Sequence, residues 1–226
     1  MTIRDFFNNH IFNKENLFNS LRWKKSFSLN HLDLKLKSYL NFKSGFFIEV
    51  GANDGITQSN TLYFEKYLGW NGLLIEAVPD LAEKCRQNRP KSITENIALV
   101  AFDYPDETIE ITYCNLMSCA HGAFEDEIIA SNHIESGKKF LQKNESTYKI
   151  KVAAKPLSAV LDFYHVNHID FMSLDVEGYE VEVLKGIEFE RHAPDRFLIE
   201  VRTHLKKKIE DILGNKYKRE AVLNTT

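Results

Sequence analysis

Apolar and polar positions along the chain change period several times, and each change marks an element. Apolar residues recur at helical spacing at Ile3, Phe6, Phe7 and Ile11, then at Leu17, Phe18 and Leu21, and Leu29, Leu32, Leu36 and Leu40 continue the period. Two or three short helices are expected there, covering one edge of a sheet. Phe46-Phe47-Ile48-Glu49-Val50 breaks the pattern, because apolar side chains fill it without alternation, as in a strand buried on both faces of a parallel sheet. Thr57-Gln58-Ser59-Asn60 then supplies capping residues ahead of a helix through Leu62, Tyr63, Phe64, Tyr67 and Leu68, which Gly69 ends. Gly72-Leu73-Leu74-Ile75-Glu76 reads as a second short buried strand. Strand, helix and strand at this spacing predict a right-handed unit with its two strands parallel.

The remainder repeats the alternation with one interruption. A helix from Pro79 to Asn88 and a third strand over 92–98 are predicted, and Thr108-Ile109-Glu110-Ile111-Thr112-Tyr113 alternates strictly, as a half-exposed antiparallel strand does, with 148–153 as its partner. Between these two, 114–147 carries His121, Gly122, Ser131, Asn132, His133 and Gly137 with weak periodicity. It is read as an insertion over the site, of the kind that forms lids and substrate loops, and its histidines as surface residues. Pro156 suits the first turn of a helix through Leu157, Val160, Leu161 and Tyr164. Ile169-Asp170-Phe171-Met172-Ser173-Leu174 is a strand closed by Asp175, a helix through Val181, Val183 and Leu184 stops at Gly186, and Arg196-Phe197-Leu198-Ile199-Glu200-Val201 is a further strand with His204 close behind. The fold class is therefore α/β: a mostly parallel sheet with helices on both faces over 42–226, and an N-terminal helical extension over 1–41.

The first strand runs into Gly51-Ala52-Asn53-Asp54-Gly55, where two glycines permit a turn that other residues would strain. The dinucleotide fingerprint G-x-G-x-x-G fails there, because Asn53 and Ile56 stand at its second and third glycine positions and a side chain at the second blocks a pyrophosphate. A ligand without phosphates fits better. S-adenosylmethionine is such a ligand, with Glu49 facing its ammonium and the turn's N–H groups its carboxylate. Glu76, at the tip of the neighbouring strand, stands where α/β proteins place the acceptor for a ribose diol. The cofactor surface is assigned to Glu49, Gly51, Ala52, Asn53, Asp54, Gly55, Ser59, Asn60, Glu76, Ala77, Asn96, Ala98 and Asp175, with 96–98 near the adenine. Asp175, Glu177, Glu200 and His204 converge on the same carboxyl edge of the sheet.

Composition acts mainly by exclusion. With 43% hydrophobic and 27% charged residues, the 226-residue chain is long and apolar enough for one real core. A net charge of −3 gives no electrostatic reason to expect a nucleic-acid partner. No apolar run reaches membrane-spanning length and residues 1–21 lack the compact apolar centre of a secretory signal, so a cytoplasmic protein without membrane insertion is expected. Cys85, Cys114 and Cys119 form no C-x-x-C pair and read as ordinary reduced thiols.

Three blocks resemble the FkbM-type methyltransferases: Phe47-Ile48-Glu49-Val50-Gly51-Ala52-Asn53-Asp54-Gly55, then Gly69-Trp70-Asn71-Gly72-Leu73-Leu74-Ile75-Glu76-Ala77-Val78-Pro79, then Ile169 to Glu180 with Val183-Leu184-Lys185-Gly186. Ile199-Glu200-Val201 looks like the last shared block, and the resemblance spans 46–202. It implies a Rossmann-like sheet of the seven-strand type, S-adenosylmethionine as cofactor, and O-methylation, commonly of a sugar hydroxyl in a polysaccharide, glycolipid or glycosylated metabolite. Ala77 stands where that family usually has proline. The chain also stops at Thr226, short of the final antiparallel hairpin, of which 217–223 is expected to supply one strand.

A sugar hydroxyl must lose its proton as it takes a methyl group, and Asp175, Glu177, Glu200 and His204 are the candidate bases. Magnesium held by these carboxylates is the less favoured alternative. The Asn/Asp-Pro-Pro-aromatic signature of base-amino methyltransferases is absent, since Val176-Glu177 follows Asp175. Two rival readings are a non-catalytic S-adenosylmethionine-binding protein and a methyltransferase for a small natural product or lipid headgroup. A broad apolar cavity under 114–147 would favour the second.

Overall fold

The computed structural model describes residues 25–124 and 126–223. The helical periodicity of 3–23 lies outside them, and residues 25–41 form one 3-10 turn and a short helix, α1 (Leu32–Leu36). The first unit follows as β1 (Phe46–Val50), α2 (Leu62–Leu68) and β2 (Asn71–Ile75). Thr61 is the N-cap of α2, the Ser59 hydroxyl oxygen accepts the Leu62 N–H at 3.1 Å, and Gly69 ends the helix in the left-handed region at φ +69°. Next come α3 (Pro79–Asn88), with proline in its first turn, β3 (Ile93–Glu95) and β4 (Ala98–Leu99).

The middle of the chain forms β5 (Thr108–Tyr113), β6 (Cys119–Ala120), α4 (Glu127–Gly137) and β7 (Tyr148–Lys155). The last third forms α5 (Leu157–Phe163), β8 (Phe171–Leu174), α6 (Glu180–Lys185), α7 (Phe189–His192), β9 (Phe197–Ile199) and α8 (Lys206–Leu213). No helix among the described residues is long and apolar enough to cross a membrane.

Five strands form an all-parallel sheet in the order β3-β2-β1-β8-β9. The chain builds outward from β1 through β2 to β3, then returns to the other side of β1 with β8. That reversal opens a crevice at the carboxyl ends of β1 and β8, where open α/β sheets bind ligands. Side chains alternate across the sheet into two cores. Ile48, Val50, Leu73, Ile75, Met172 and Leu174 enter one, and Phe47, Leu74 and Phe171 enter the other with Trp70, Phe64 and Tyr63.

The sheet differs from expectation in two places. The strand predicted over 92–98 is two strands in two sheets: β3 pairs with β2, while β4 crosses to pair with β7 in a separate four-stranded sheet of order β4-β7-β5-β6. Asn96 sits at the break and donates through Nδ2 to the carbonyls of Glu76 and Ala77 at 2.9 and 2.8 Å, which turns the chain out of the first sheet. No strand forms over 217–223. Tyr217 instead packs edge-on against Phe189 and Phe197, with its hydroxyl on the Pro194 carbonyl at 2.6 Å. The antiparallel pairing of β5 with β7 is as predicted, running from Thr108 opposite Ala153 to Tyr113 opposite Tyr148.

The 114–147 segment is more regular than its weak periodicity suggests. Asp126 caps α4 by accepting the Ile128 and Ile129 N–H groups at 2.6 and 3.3 Å. The helix buries only His133 and Gly137, so no apolar stripe announces it. Gly137 lies where a Cβ would come within 2.7 Å of Cys114 Sγ and Met117 Cβ, and this close approach seats α4 on the 115–117 turn.

Candidate active site

A cavity of about 350 Å³ opens at the carboxyl ends of β1, β2, β8 and β9, at the lower end of the range for small-ligand pockets. Its floor is the turn after β1. Gly51 adopts φ +82°, and a Cβ there would stand 1.9 Å from the Asp175 carbonyl oxygen, so the tips of β1 and β8 meet only because this residue is glycine. The turn satisfies its own donors. Gly51 and Ala52 donate to the Ile75 carbonyl at 3.0 and 3.1 Å, and Asn53 N–H donates to Glu76 at 2.8 Å. Asp54 accepts from Ile56 and Thr57 N–H at 2.9 and 2.6 Å.

Glu49 is buried beneath this floor. It accepts from Ser59 Oγ at 2.8 Å, Asn60 N–H at 2.7 Å and Thr61 Oγ1 at 2.6 Å, and lies 3.6 Å from the Arg89 guanidinium. Arg89 is wholly buried. Its Nε bonds Glu65 at 2.8 Å and its other nitrogens reach the Gly55 carbonyl, Ser59 and Thr61. Asn60, on the cavity wall, donates through Nδ2 to Ser173 Oγ at 3.0 Å, while its buried Oδ1 has no partner among the described residues. Glu76 uses one oxygen on Asn53 N–H and the other on Val78 N–H, both at 2.8 Å. Burial pushes its carboxyl up to about 7 against the pull of those N–H groups.

The opposite wall is acidic. Carboxylate oxygens of Asp175, Glu177 and Glu200 all lie within 4.8 Å of one another. Asp175 is accessible from the cavity yet ringed by protein, and burial, then the neighbouring Glu200 charge and their shared hydrogen bond, raise its carboxyl well above the usual range. Glu177 sits in the left-handed region at φ +55°, uncommon for a long side chain. Glu180 holds that turn by accepting the Val176 and Gly178 N–H groups at 3.2 and 3.0 Å. Burial and Glu200 push the Glu177 carboxyl up to about 7, opposed by a hydrogen bond from Arg202.

The methyltransferase FkbM domain family matches residues 49–219, three quarters of the chain. The chain belongs to this family. No curated protein matches it. The matched stretch opens on Glu49 and includes both walls of the cavity, so the FkbM domain and the structural site are one region.

Within the FkbM domain, the cavity brings together Glu49, Gly51, Ala52, Asn53, Ser59, Asn60, Glu76, Ala77, Ala98, Asp175, Glu177 and Glu200. Four assigned residues stand apart. Asp54 and Gly55 fold the floor from beneath, Asn96 pins backbone, and His204 is exposed on the turn before α8. The N–H groups expected to receive a ligand carboxylate are already consumed by the turn. Glu49 likewise holds the 59–61 segment instead of standing free for an ammonium. His133, read as a surface residue, is buried: Nε2 donates to the Met117 carbonyl at 3.0 Å and lies 3.7 Å from Glu177. Sequence reasoning also missed Arg89, Arg202 and Glu180, since nothing in the local pattern separates them from surface charges. From the insertion, residues 115–120 and Phe140 line the cavity.

Proposed function

We propose that the protein is an S-adenosylmethionine-dependent O-methyltransferase whose acceptor is a sugar hydroxyl of a polysaccharide, glycolipid or glycosylated metabolite. The observation that carries it is the pairing, across one cavity, of a cofactor-type wall ending at Glu76 with a wall of three clustered carboxylates. The residues fit the cofactor by their chemistry. Asn60 Oδ1 is a buried acceptor in want of a donor, beside the Glu49 charge, and suits an ammonium. Each Glu76 oxygen accepts one N–H and keeps a lone pair for a ribose hydroxyl. Gln58, on the cavity wall, offers a side-chain amide donor to the carboxylate in place of the occupied backbone N–H groups.

Bound there, S-adenosylmethionine supplies an electrophilic methyl group on a sulfonium. The chain's own part is to hold the acceptor oxygen in line and to take its proton. Carboxylate oxygens of Asp175 and Glu200 lie within 4.8 Å of each other on the cavity wall, and one of them accepts the hydroxyl proton as the oxygen–methyl bond forms and the methyl–sulfur bond breaks, the sulfur leaving as a neutral thioether. Ala77, Ala98 and Ile97 leave an apolar slot for a planar base. Magnesium on the three carboxylates remains the less favoured route.

One observation favours a second acceptor class. The insertion's share of the wall includes Leu116, Met117, Cys119 and Phe140, an apolar surface suited to a natural product or lipid group beside the reacting hydroxyl. Purified protein offered labelled cofactor with oligosaccharides, nucleotide sugars and glycosylated apolar metabolites separates these. Transfer to saccharides alone supports the sugar reading, and transfer only to apolar acceptors replaces it. Asp175→Asn keeps the shape and removes the charge, so we expect single-turnover transfer to fall roughly a hundredfold or more with little change in cofactor affinity. Near-normal turnover removes Asp175 from the chemistry. Loss of wild-type activity in EDTA, restored by magnesium, puts the metal in its place.

A further inference from the structure

Glu177 is held from outside the cavity by two residues that the reaction itself does not require. Arg202 follows β9 and bonds the Glu177 carboxylate through its Nη2. The same nitrogen lies 3.4 Å from His133 Nδ1, and the guanidinium packs over the Phe124 ring at 5.3 Å from its centroid. Phe124 in turn packs against the His133 ring at 4.9 Å. His133 belongs to α4, whose seating against Cys114 and Met117 sets the 115–117 turn that lines the cavity. A chain of direct contacts therefore runs from the insertion, through His133 and Arg202, to a carboxylate inside the site.

We propose that Arg202, backed by His133, is a positioning residue for methyl transfer: it fixes Glu177 in the strained turn with its carboxylate aimed into the cavity, and ties that geometry to the seating of the insertion. This rests on the reading that the carboxylate wall receives the acceptor's proton. The groups facing Glu177 are Asp175, Glu200 and Glu180 among the acids, the Cys119 thiol, His133 and Arg202. Of these Arg202 is the permanent cation, and His133 is held toward its neutral form by burial and by the Arg202 charge. Arg202 is the cation bonded to Glu177, and it offsets part of the rise that burial and the Glu200 charge impose on that carboxyl.

The test uses the full chain carrying Arg202→Met, Arg202→Lys or His133→Gln. Arg202→Met is expected to lower kcat about ten- to hundredfold with the dissociation constant for S-adenosylmethionine within about twofold of wild type. Its acidic limb in kcat/KM moves to higher pH, because without the cation the acids hold their protons more tightly. Arg202→Lys restores part of the limb, since it supplies the charge without the planar fork. Independently of turnover, amide hydrogen exchange over 127–137 is expected to speed up in Arg202→Met and His133→Gln. A merely structural Arg202 lowers the melting temperature and leaves the limb in place. Transfer by Arg202→Met with kcat within about twofold and an unmoved limb overturns the proposal alone, as does unchanged exchange in both variants. Failure of wild-type protein to methylate any acceptor overturns the enzyme reading and this proposal with it.

Discussion

Glu76 is the residue on which the cofactor reading turns, and its surroundings make the reading quantitative. Two backbone N–H groups, from Asn53 and Val78, aim its carboxyl group, and burial still raises it to about 7, because those hydrogen bonds do not offset the loss of water around a carboxylate. A ribose diol supplies two more donors. Glu76→Ala should weaken S-adenosylmethionine binding by about 1.5 to 3 kcal/mol, the range for hydrogen bonds to a charged group, and calorimetry on the purified variant reads it directly. Unchanged affinity would show that the ribose lies elsewhere. At this scale the sequence was legible where a residue type is tied to a strand tip, as Glu76, Asp175 and Glu200 are. It misled where the type alone carries no address: Glu49 lies one residue before the end of the central strand, yet Ser59, Asn60 and Thr61 have already claimed its oxygens.

The elements were legible in proportion to the regularity of their apolar pattern. β1, β2 and β8 are dominated by apolar residues that do not alternate, and they are adjacent parallel strands. The 92–98 stretch is more polar and is cut by Asn96, whose side chain serves other backbone, and α4 is obscured because a histidine and a glycine are its buried residues. The least legible device is Arg89, which sits just past α3 and underpins the whole 49–65 loop. It is the buried cation between Glu49 and Glu65, and its removal leaves two buried carboxylates uncompensated. We expect Arg89→Met to destabilise the fold by about 3 to 5 kcal/mol, measured by urea unfolding. A loss below about 1 kcal/mol would show that the loop holds its shape without the ion pairs.

Across the whole molecule, the switch in strand order gathers acids from four strands onto one edge, and that concentration has a pH signature. Glu76 and Glu177 are raised to about 7 and Asp175 well above its usual range, all chiefly by burial. For such a group the native state holds its proton over a window in which the unfolded chain has lost it. The stabilisation is complete below about pH 4.5 and is lost as pH rises through about 7. His133 and His192, both lowered by burial, act in the opposite sense: the unfolded chain binds their protons first, so they add stability as pH rises through about 6.5. A single wild-type curve mixes the two, and the difference from a variant separates them. Glu76→Gln cannot ionise, and the mismatch of its amide with the Asn53 or Val78 N–H is an offset that does not depend on pH. We therefore expect wild-type stability, relative to Glu76→Gln and without ligand, to fall by about 2 to 3 kcal/mol between pH 5 and 8. Urea unfolding of both proteins across that range gives the difference curve. A flat or rising curve would mean that Glu76 is already paired as a carboxylate in the ligand-free protein, and that the cavity has no unmet charge for a ribose to answer.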